Sequence, residues 1–368
     1  MKYLASRRTA RGRVALLIAA WACLLPSGLA DDLSKQVDAM FREVSKADGP
    51  GGVCFVVQDG QVAHRGLYGL ADVEKGTPFT PDTMFDLASV SKQFTGLAAA
   101  LLIGQGRLSL QDEARKHLPE LRAGDPERPI LVRHVASMTT GLSDYMELLE
   151  DGWDGKTNDD VARAVGAAEL QFPTGTKYEY SNTDYNLLAT IIQRASKNKF
   201  GEFLREAVFA PCGMKRTRVL ESADAAIPDR AVGYRMDEKG HWGVDVDDTP
   251  GIVGDGSVFS CAADLVRFDA ALRGGKVFDE RTLRLWTTPG TLDSGETLTY
   301  ALGLEIDPLG GHRRMYHSGS WNGTSTHMVR FLDVELTVII LLNYVDGELE
   351  ELGDQVALLY LGELEQED

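Results

Sequence analysis

The stretch Phe85-Asp86-Leu87-Ala88-Ser89-Val90-Ser91-Lys92-Gln93-Phe94-Thr95 leads into an apolar run, Gly96 to Ile103, closed by Gly104. The run reads as a buried helix. It places Ser89 at the helix start and Lys92 one turn on, on the same face. The first-turn N–H groups of a helix lack intrahelical partners. The N–H of Ser89 can therefore stabilise an oxyanion, helped by the positive end of the helix dipole. A lysine partly buried against an apolar helix can act as a base or depress a neighbour's pKa. The plain alternative is an N-capping serine beside a surface lysine. About one S-x-x-K is expected by chance in such a chain. A second, Ser196 to Lys199, lies in a polar Ser-Lys-Asn-Lys tract that reads as solvated surface.

Two further segments bear on the choice. Tyr180-Ser181-Asn182 follows the turn Phe172-Pro173-Thr174-Gly175 and precedes an expected helix from Tyr185 to Ala195. A phenol near a lysine can shuttle a proton to and from a serine. An asparagine two residues on can fix the lysine and donate to a substrate amide. Alone, these are a loop tyrosine and a turn asparagine. His317-Ser318-Gly319 lies in a strand-like run, with Gly319 and Gly323 expected to admit the substrate backbone. Alone, His317 is an exposed strand histidine.

Taken together, S-x-x-K, Y-S-N and H-S-G in this order strongly resemble the serine β-lactamase and penicillin-binding-protein superfamily. The likeness is greatest to its class C β-lactamase and D-alanyl-D-alanine carboxypeptidase branch, which includes esterases and peptidases. The text from Arg133-His134 through Thr140-Gly141-Leu142 and from Phe172 to Asn182 shares it, and the likeness runs from the Gly52 hairpin to Asn343. The resemblance implies Ser89 as nucleophile, Lys92 and Tyr180 as the proton-handling pair and Asn182 as a positioning residue. It implies His317, Ser318 and Gly319 as substrate-binding residues, and the N–H groups of Ser89 and Ser320 as the oxyanion hole. It implies no cofactor and no metal. Many relatives carry lysine where this chain has His317. A histidine, with a pKa near 6.5 if unperturbed, would hold a substrate carboxylate only in its protonated form. Trp321-Asn322-Gly323 is similar to the W-x-G text of related esterases.

The first thirty residues stand apart. Lys2, Arg7, Arg8, Arg11 and Arg13 precede the apolar run Val14 to Leu25, Pro26, and the small residues Gly28-Leu29-Ala30. This reads as a secretory signal peptide, 1–30, cleaved before Asp31. The run is too short for a spanning helix. Ala22-Cys23 is the alternative, a lipoprotein anchor. Losing these five cations would take the formal charge from −17 to −22, which argues against nucleic-acid and anionic-membrane partners. Cys54, Cys212 and Cys261 would remain, allowing one bridge at most in an oxidising compartment. Cys54 lies in an apolar strand pattern and reads as a buried, inert thiol. The seven histidines show no metal spacing, and the run Asp245-Val246-Asp247-Asp248 lacks the glycine and closing glutamate of a calcium loop.

Asp31 to Lys46 carries a helical stripe, and Gly52 to Val57, Asp59-Gly60 and Gln61 to Gly69 form a hairpin. From about 109 to 253 the text is mainly helix and loop. Ser260 is expected to cap a further helix. Strand-like runs follow at Tyr300 to Ile306, Arg313 to His317, Thr324 to Phe331 and Leu336 to Leu342, then a helix from Leu349 to Leu361. The reading is α/β (α+β): an antiparallel sheet from both chain ends, flanked by helices, with an inserted mainly helical region. Residues 31–368 form one hydrolase domain. The expected protein is a secreted or periplasmic serine hydrolase forming an acyl-enzyme on a small-molecule or peptide substrate. A carboxylesterase and a β-lactam-binding protein without turnover are the alternatives, and the oligomeric state is open.

Overall fold

The computed structural model describes residues 27–362 except 126, 150, 151, 153, 223–225 and 247–249. The signal-peptide and lipoprotein readings thus fall almost wholly outside the described residues. Helix α1 (Ser27–Val44) starts and ends earlier than its apolar stripe suggested, and buries Leu33, Val37 and Phe41. Strands β1 (Gly52–Gln58) and β2 (Gln61–Tyr68) follow. They are joined through Asp59 and Gly60 with φ of 50° and 72°, as a tight hairpin turn requires. Short strands β3 (Leu70–Asp72), β4 (Thr77–Pro78) and β5 (Phe85–Asp86) lead to helix α2 (Lys92–Gly104).

The following region carries α3 (Val132–Ala136), α4 (Tyr145–Leu148), α5 (Asn158–Ala167), α6 (Asn182–Ser196) and α7 (Phe200–Leu204). Three short strands within it were not expected: β6 (Arg218–Val219), β7 (Tyr234–Met236) and β8 (Trp242–Val244). Next come β9 (Val258–Ser260), α8 (Ala262–Arg273) and α9 (Glu280–Trp286). Ser260 caps no helix. It ends β9, its Oγ pairs with Thr217 Oγ1 at 2.7 Å, and the N-cap of α8 is Cys261. The chain closes with β10 (Glu305–Leu309), β11 (His312–Trp321), β12 (Thr324–Phe331), β13 (Leu336–Leu342) and α10 (Leu349–Leu361). Residues 301–303 form a turn, Gly303 having a φ of 78°, so β10 begins later than its strand-like text.

The main sheet runs β10-β11-β12-β13-β1-β2, every pair antiparallel. Its centre joins the two ends of the chain, with Gly52 opposite Leu342 and Gln58 opposite Leu336. Alternation sends Cys54, Val56, Val338 and Ile340 toward α1 and α10. Val53, Phe55, Ile339 and Leu341 point toward the helical side. Covered on both faces, β13 has no polar side to present, which is why it reads as a nearly unbroken apolar run. On the helical side β12 also buries Arg330 completely. Its Nη2 donates to Gln93 Oε1 (3.0 Å), and its Nε lies 3.7 Å from Asp269 Oδ1. Burial drives this guanidinium down to about 10.

Cys54, Cys212 and Cys261 are buried and unbridged. Burial pushes all three thiols up, Cys212 to about 12 and Cys261 to about 11, far from nucleophilic character. Among the described residues no helix is long and apolar enough to cross a membrane.

Candidate active site

Ser89 sits in a 3-10 turn, Ala88–Ser91, rather than in the α-helix itself, and Lys92 is the first residue of α2. Ala88 has a φ of 45°, a left-handed backbone that a side-chain-bearing residue adopts only under constraint. The constraints are present. Leu87 N–H donates to Val258 O (2.9 Å), joining β5 to β9. Thr326 Oγ1 donates to Leu87 O (2.7 Å), Ala88 N–H to Asp86 Oδ1 (2.8 Å), and Val258 N–H to Ser91 Oγ (3.1 Å). Ala88, Val90 and Ser91 are buried, while Ser89 is half-buried and reaches a cleft.

Lys92 is fully buried. Its Nζ lies 3.0 Å from Ser89 Oγ, 2.7 Å from Asn182 Oδ1 and 2.9 Å from the carbonyl oxygen of Asp255. Three acceptors around one amine fix it on the serine oxygen. Asn182 opens α6, whose N-cap Ser181 accepts from Asp184 N–H (3.1 Å). Tyr180 meets Lys92 through its ring face, 4.9 Å from Nζ, and is 44% exposed, so an incoming substrate can touch it. The segment 138–141 carries this loop. Glu179 N–H donates to Met138 O, Gly175 N–H to Thr139 O, and Thr140 Oγ1 to the buried Asp184. The second S-x-x-K is remote from this arrangement. Its Lys197 and Lys199 are exposed, as a solvated tract requires, while Ser196 is buried at the end of α6 and bonded to Gln193 O.

Strand β11 places His317 and Gly319 on one face and Ser318 and Ser320 on the other. His317 is not an exposed strand histidine, being only 5% exposed. Its Nδ1 lies 2.6 Å from Ser318 O, and a carbonyl only accepts, so Nδ1 carries the proton and Nε2 accepts from Tyr300 OH (3.2 Å). Burial, reinforced by the Lys92 charge, pushes His317 down to about 3. The ring is therefore far from the unperturbed case, with both nitrogens engaged inside the protein and burial favouring its neutral form. Gly319 lines the second cavity beside Ser89, and the protein's own packing also requires a glycine there. A Cβ there would lie 2.6 Å from Leu87 O and 2.9 Å from Ser89 N, so glycine admits the protein's own serine turn against β11. Gly323 likewise packs against Asp245 O and Gly233, with a φ of 59°.

The family model described as Beta-lactamase matches residues 37–361. The chain belongs to the β-lactamase family, a family of serine hydrolases. It is 32% identical over 330 residues to penicillin-binding protein 4* of Bacillus subtilis (strain 168), covering 84% of this chain and 71% of that protein. It is 29% identical over 331 residues to a D-aminopeptidase of Gluconobacter oxydans (strain 621H), covering 87% of this chain. The chain spans only 61% of that relative's length. Among solved structures, the octameric penicillin-binding protein homologue from Pyrococcus abyssi superposes with a TM-score of 0.76. That match is at 25% identity and covers 90% of this chain and 77% of that one.

In this β-lactamase-family chain two cavities flank Ser89, and Tyr180 and Ser320 line both. The first, about 260 Å³, is lined by Tyr145, Leu220, Ile252, Phe259 and Trp321 and by the carboxyl groups of Asp86 and Asp255. The second, about 500 Å³, runs along β11 to the start of α10 and is lined by Glu305, Asp346 and Glu350 but by no lysine or arginine. Ser318 Oγ donates to Glu350 Oε2 (2.8 Å) and lies 2.9 Å from His327 Nδ1. Asp255 and Glu350 escaped the sequence reading. Asp255 is buried, takes a hydrogen bond from Tyr145 OH (3.0 Å) and is pushed up by burial against the opposing pull of Lys92. Its one local sign is its setting, Gly254-Asp255-Gly256 just ahead of β9. Glu350 has none, because helix α10 brings it to Ser318 from 32 residues away.

Proposed function

We propose that this protein hydrolyses an amide, peptide or ester bond through an acyl-enzyme on Ser89. The observation that carries the reading is the buried Lys92 Nζ held 3.0 Å from Ser89 Oγ by Asn182 and Asp255. Ser89 Oγ attacks the substrate carbonyl carbon while its proton passes to the Lys92–Tyr180 pair. A C–O bond forms, and the carbonyl electron pair moves onto oxygen, facing the N–H groups of Ser89 and Ser320. Collapse breaks the scissile bond, and the departing amine or alcohol takes the proton. Water, deprotonated by the same pair, then releases the acid and restores Ser89.

The substrate side follows from charge. A carboxypeptidase or dedicated β-lactamase needs a cation or free donor for a substrate carboxylate, and neutral His317, bonded at both nitrogens, offers neither. This favours the aminopeptidase-like and carboxylesterase readings over carboxylate-anchored chemistry. The smaller cavity, with Leu220, Ile252 and Phe259 as its apolar wall, supports a small acyl group. One panel on purified protein tests the proposal: a fluorophosphonate probe read by intact mass, a D-alanyl anilide, nitrophenyl esters of rising chain length, and a chromogenic cephalosporin. A Ser89 adduct with faster turnover of anilide or esters than of cephalosporin is expected. An adduct elsewhere, or cephalosporin turnover exceeding the rest, refutes it.

Export belongs to the same proposal. Residues 1–30 direct the chain out of the cytoplasm, and N-terminal sequencing of protein from the periplasm or medium should begin at Asp31.

A further inference from the structure

On the β11 side of Ser89, the hydroxyl that the third motif presents is already taken. Ser318 Oγ donates to Glu350 Oε2 at 2.8 Å, so the 2.9 Å contact with His327 Nδ1 is a bond the hydroxyl accepts. His327 is fully buried and driven by burial down to about 3, so it is a neutral donor. Glu350 is the second residue of α10, where the helix N-terminus favours an anion. Among the described residues lining this wall there is no lysine or arginine to pair with it. The nearest cation along the strand, Arg314, is held by Asp307 of β10 and Asp354 of α10. The other carboxyl groups lining the cleft are Glu305 and Asp346, which accept hydrogen bonds from Tyr178 and Thr299 and from Glu348 N–H. A substrate carboxylate lying along β11 would therefore meet carboxylates and a spent hydroxyl.

We infer that Glu350 is a specificity-determining residue: it makes the β11 side of the cleft reject substrates ending in a carboxylate and accept ones that are neutral or carry an amine cation. The inference rests on the acyl-enzyme reading and narrows its substrate class to amides, esters or peptides without an anionic end on that side. Like charges brought together across a recognition site discriminate more than they bind.

The test uses a matched pair, D-alanyl-D-alanine and D-alanyl-D-alanine amide, differing only in that terminal charge. The ratio of their kcat/KM values divides out any general loss in a variant. Wild type should favour the amide by at least about tenfold. Glu350→Gln, which can still accept from Ser318, should bring the ratio within about threefold, and Glu350→Lys should invert it. A wild-type ratio near one, or a ratio unmoved in folded variants, overturns the proposal. If the variants fail to fold, wild type decides alone. Raising NaCl from about 20 to 500 mM should narrow the ratio, and a salt-independent ratio overturns it. Fluorophosphonate labelling of the same preparation separates this from the broader reading. Labelled protein with a flat ratio sinks the role of Glu350, whereas unlabelled protein sinks the acyl-enzyme. In the latter case the charge preference is read from calorimetric binding of the same two peptides, and equal affinities overturn it.

Discussion

The two cavities beside Ser89 differ in what they ask of a substrate. One is a small pocket where Leu220, Ile252, Phe259 and Trp321 stand beside the carboxyl groups of Asp86 and Asp255. The other is a wider trough edged by Glu305, Asp346 and Glu350. Both share Ser89, Tyr180 and Ser320, so in the proposed reaction the bond-breaking atoms are common to the two sides while selection is not. In the proposed reaction the smaller pocket selects by volume and the trough by charge. A chain can thus keep the reacting residues of its family and change substrate by altering walls that lie far from them in sequence.

The largest effect expected is at the shared centre. Ser89→Ala should lower turnover of every substrate by on the order of 10⁴-fold or more and abolish the fluorophosphonate adduct. An adduct surviving that change would mean that the two cavities do not flank the reacting atom, and the comparison would collapse. Lys92→Ala and Tyr180→Phe should each cost roughly 10²–10⁴-fold. Because both act on one proton, the double variant should lose far less than the product of the single losses. Multiplicative losses would separate the pair.

The apolar wall of the smaller pocket predicts a smaller, graded effect. Each methylene buried contributes about 0.8 kcal/mol, so kcat/KM for nitrophenyl esters should rise roughly fourfold per methylene until the pocket is full. Ile252→Trp should move that limit to shorter chains and leave the charge ratio of the peptide pair where it was. A shift in the charge ratio instead would show that the two walls are not independent.

The smallest effect concerns pH. With His317 near 3, kcat/KM profiles for anionic and neutral substrates should run parallel through pH 6.5. A fall for the anionic substrate alone across that range would restore a protonated His317. Stability carries the same signature. His317 and His327 both have folded-state pKa values of about 3 against an unfolded value near 6.5. Below 6.5 the unfolded chain takes protons that the folded chain refuses. The stability present above 6.5 is therefore lost progressively as pH falls toward 3. Melting temperatures between pH 7 and 4 should record that loss, and a flat curve would contradict the burial of both rings.

Strand β12, strand β13 and helix α10 begin and end where their text does, at Thr324–Phe331, Leu336–Leu342 and Leu349–Leu361. Periodicity suffices there because each segment packs along its whole length against a fixed partner. Segments whose conformation is set from outside read less well. Tyr300 looks like strand, but the following 301–303 turn wraps against α2, where a Cβ on Gly303 would strike Lys92 O at 2.1 Å. Ser260 has the composition of a cap, yet β9 pairs with β5 and β6 and claims it.

By itself the sequence determined the α+β class, the sheet built from both ends, and the three short segments holding Ser89, Lys92, Tyr180, Asn182 and His317. These are written locally, in side-chain period and in spacing within one helix turn or one loop. Only the tertiary structure decided the state of His317 and the partner of Ser318. A histidine's charge depends on how much water and which charges surround it, and here Tyr300, Lys92 and the Ser318 carbonyl supply that surrounding. Whether the serine hydroxyl is free depends on Glu350, brought across from the closing helix. Such relations are set by distance in space, which a pattern along the chain does not contain.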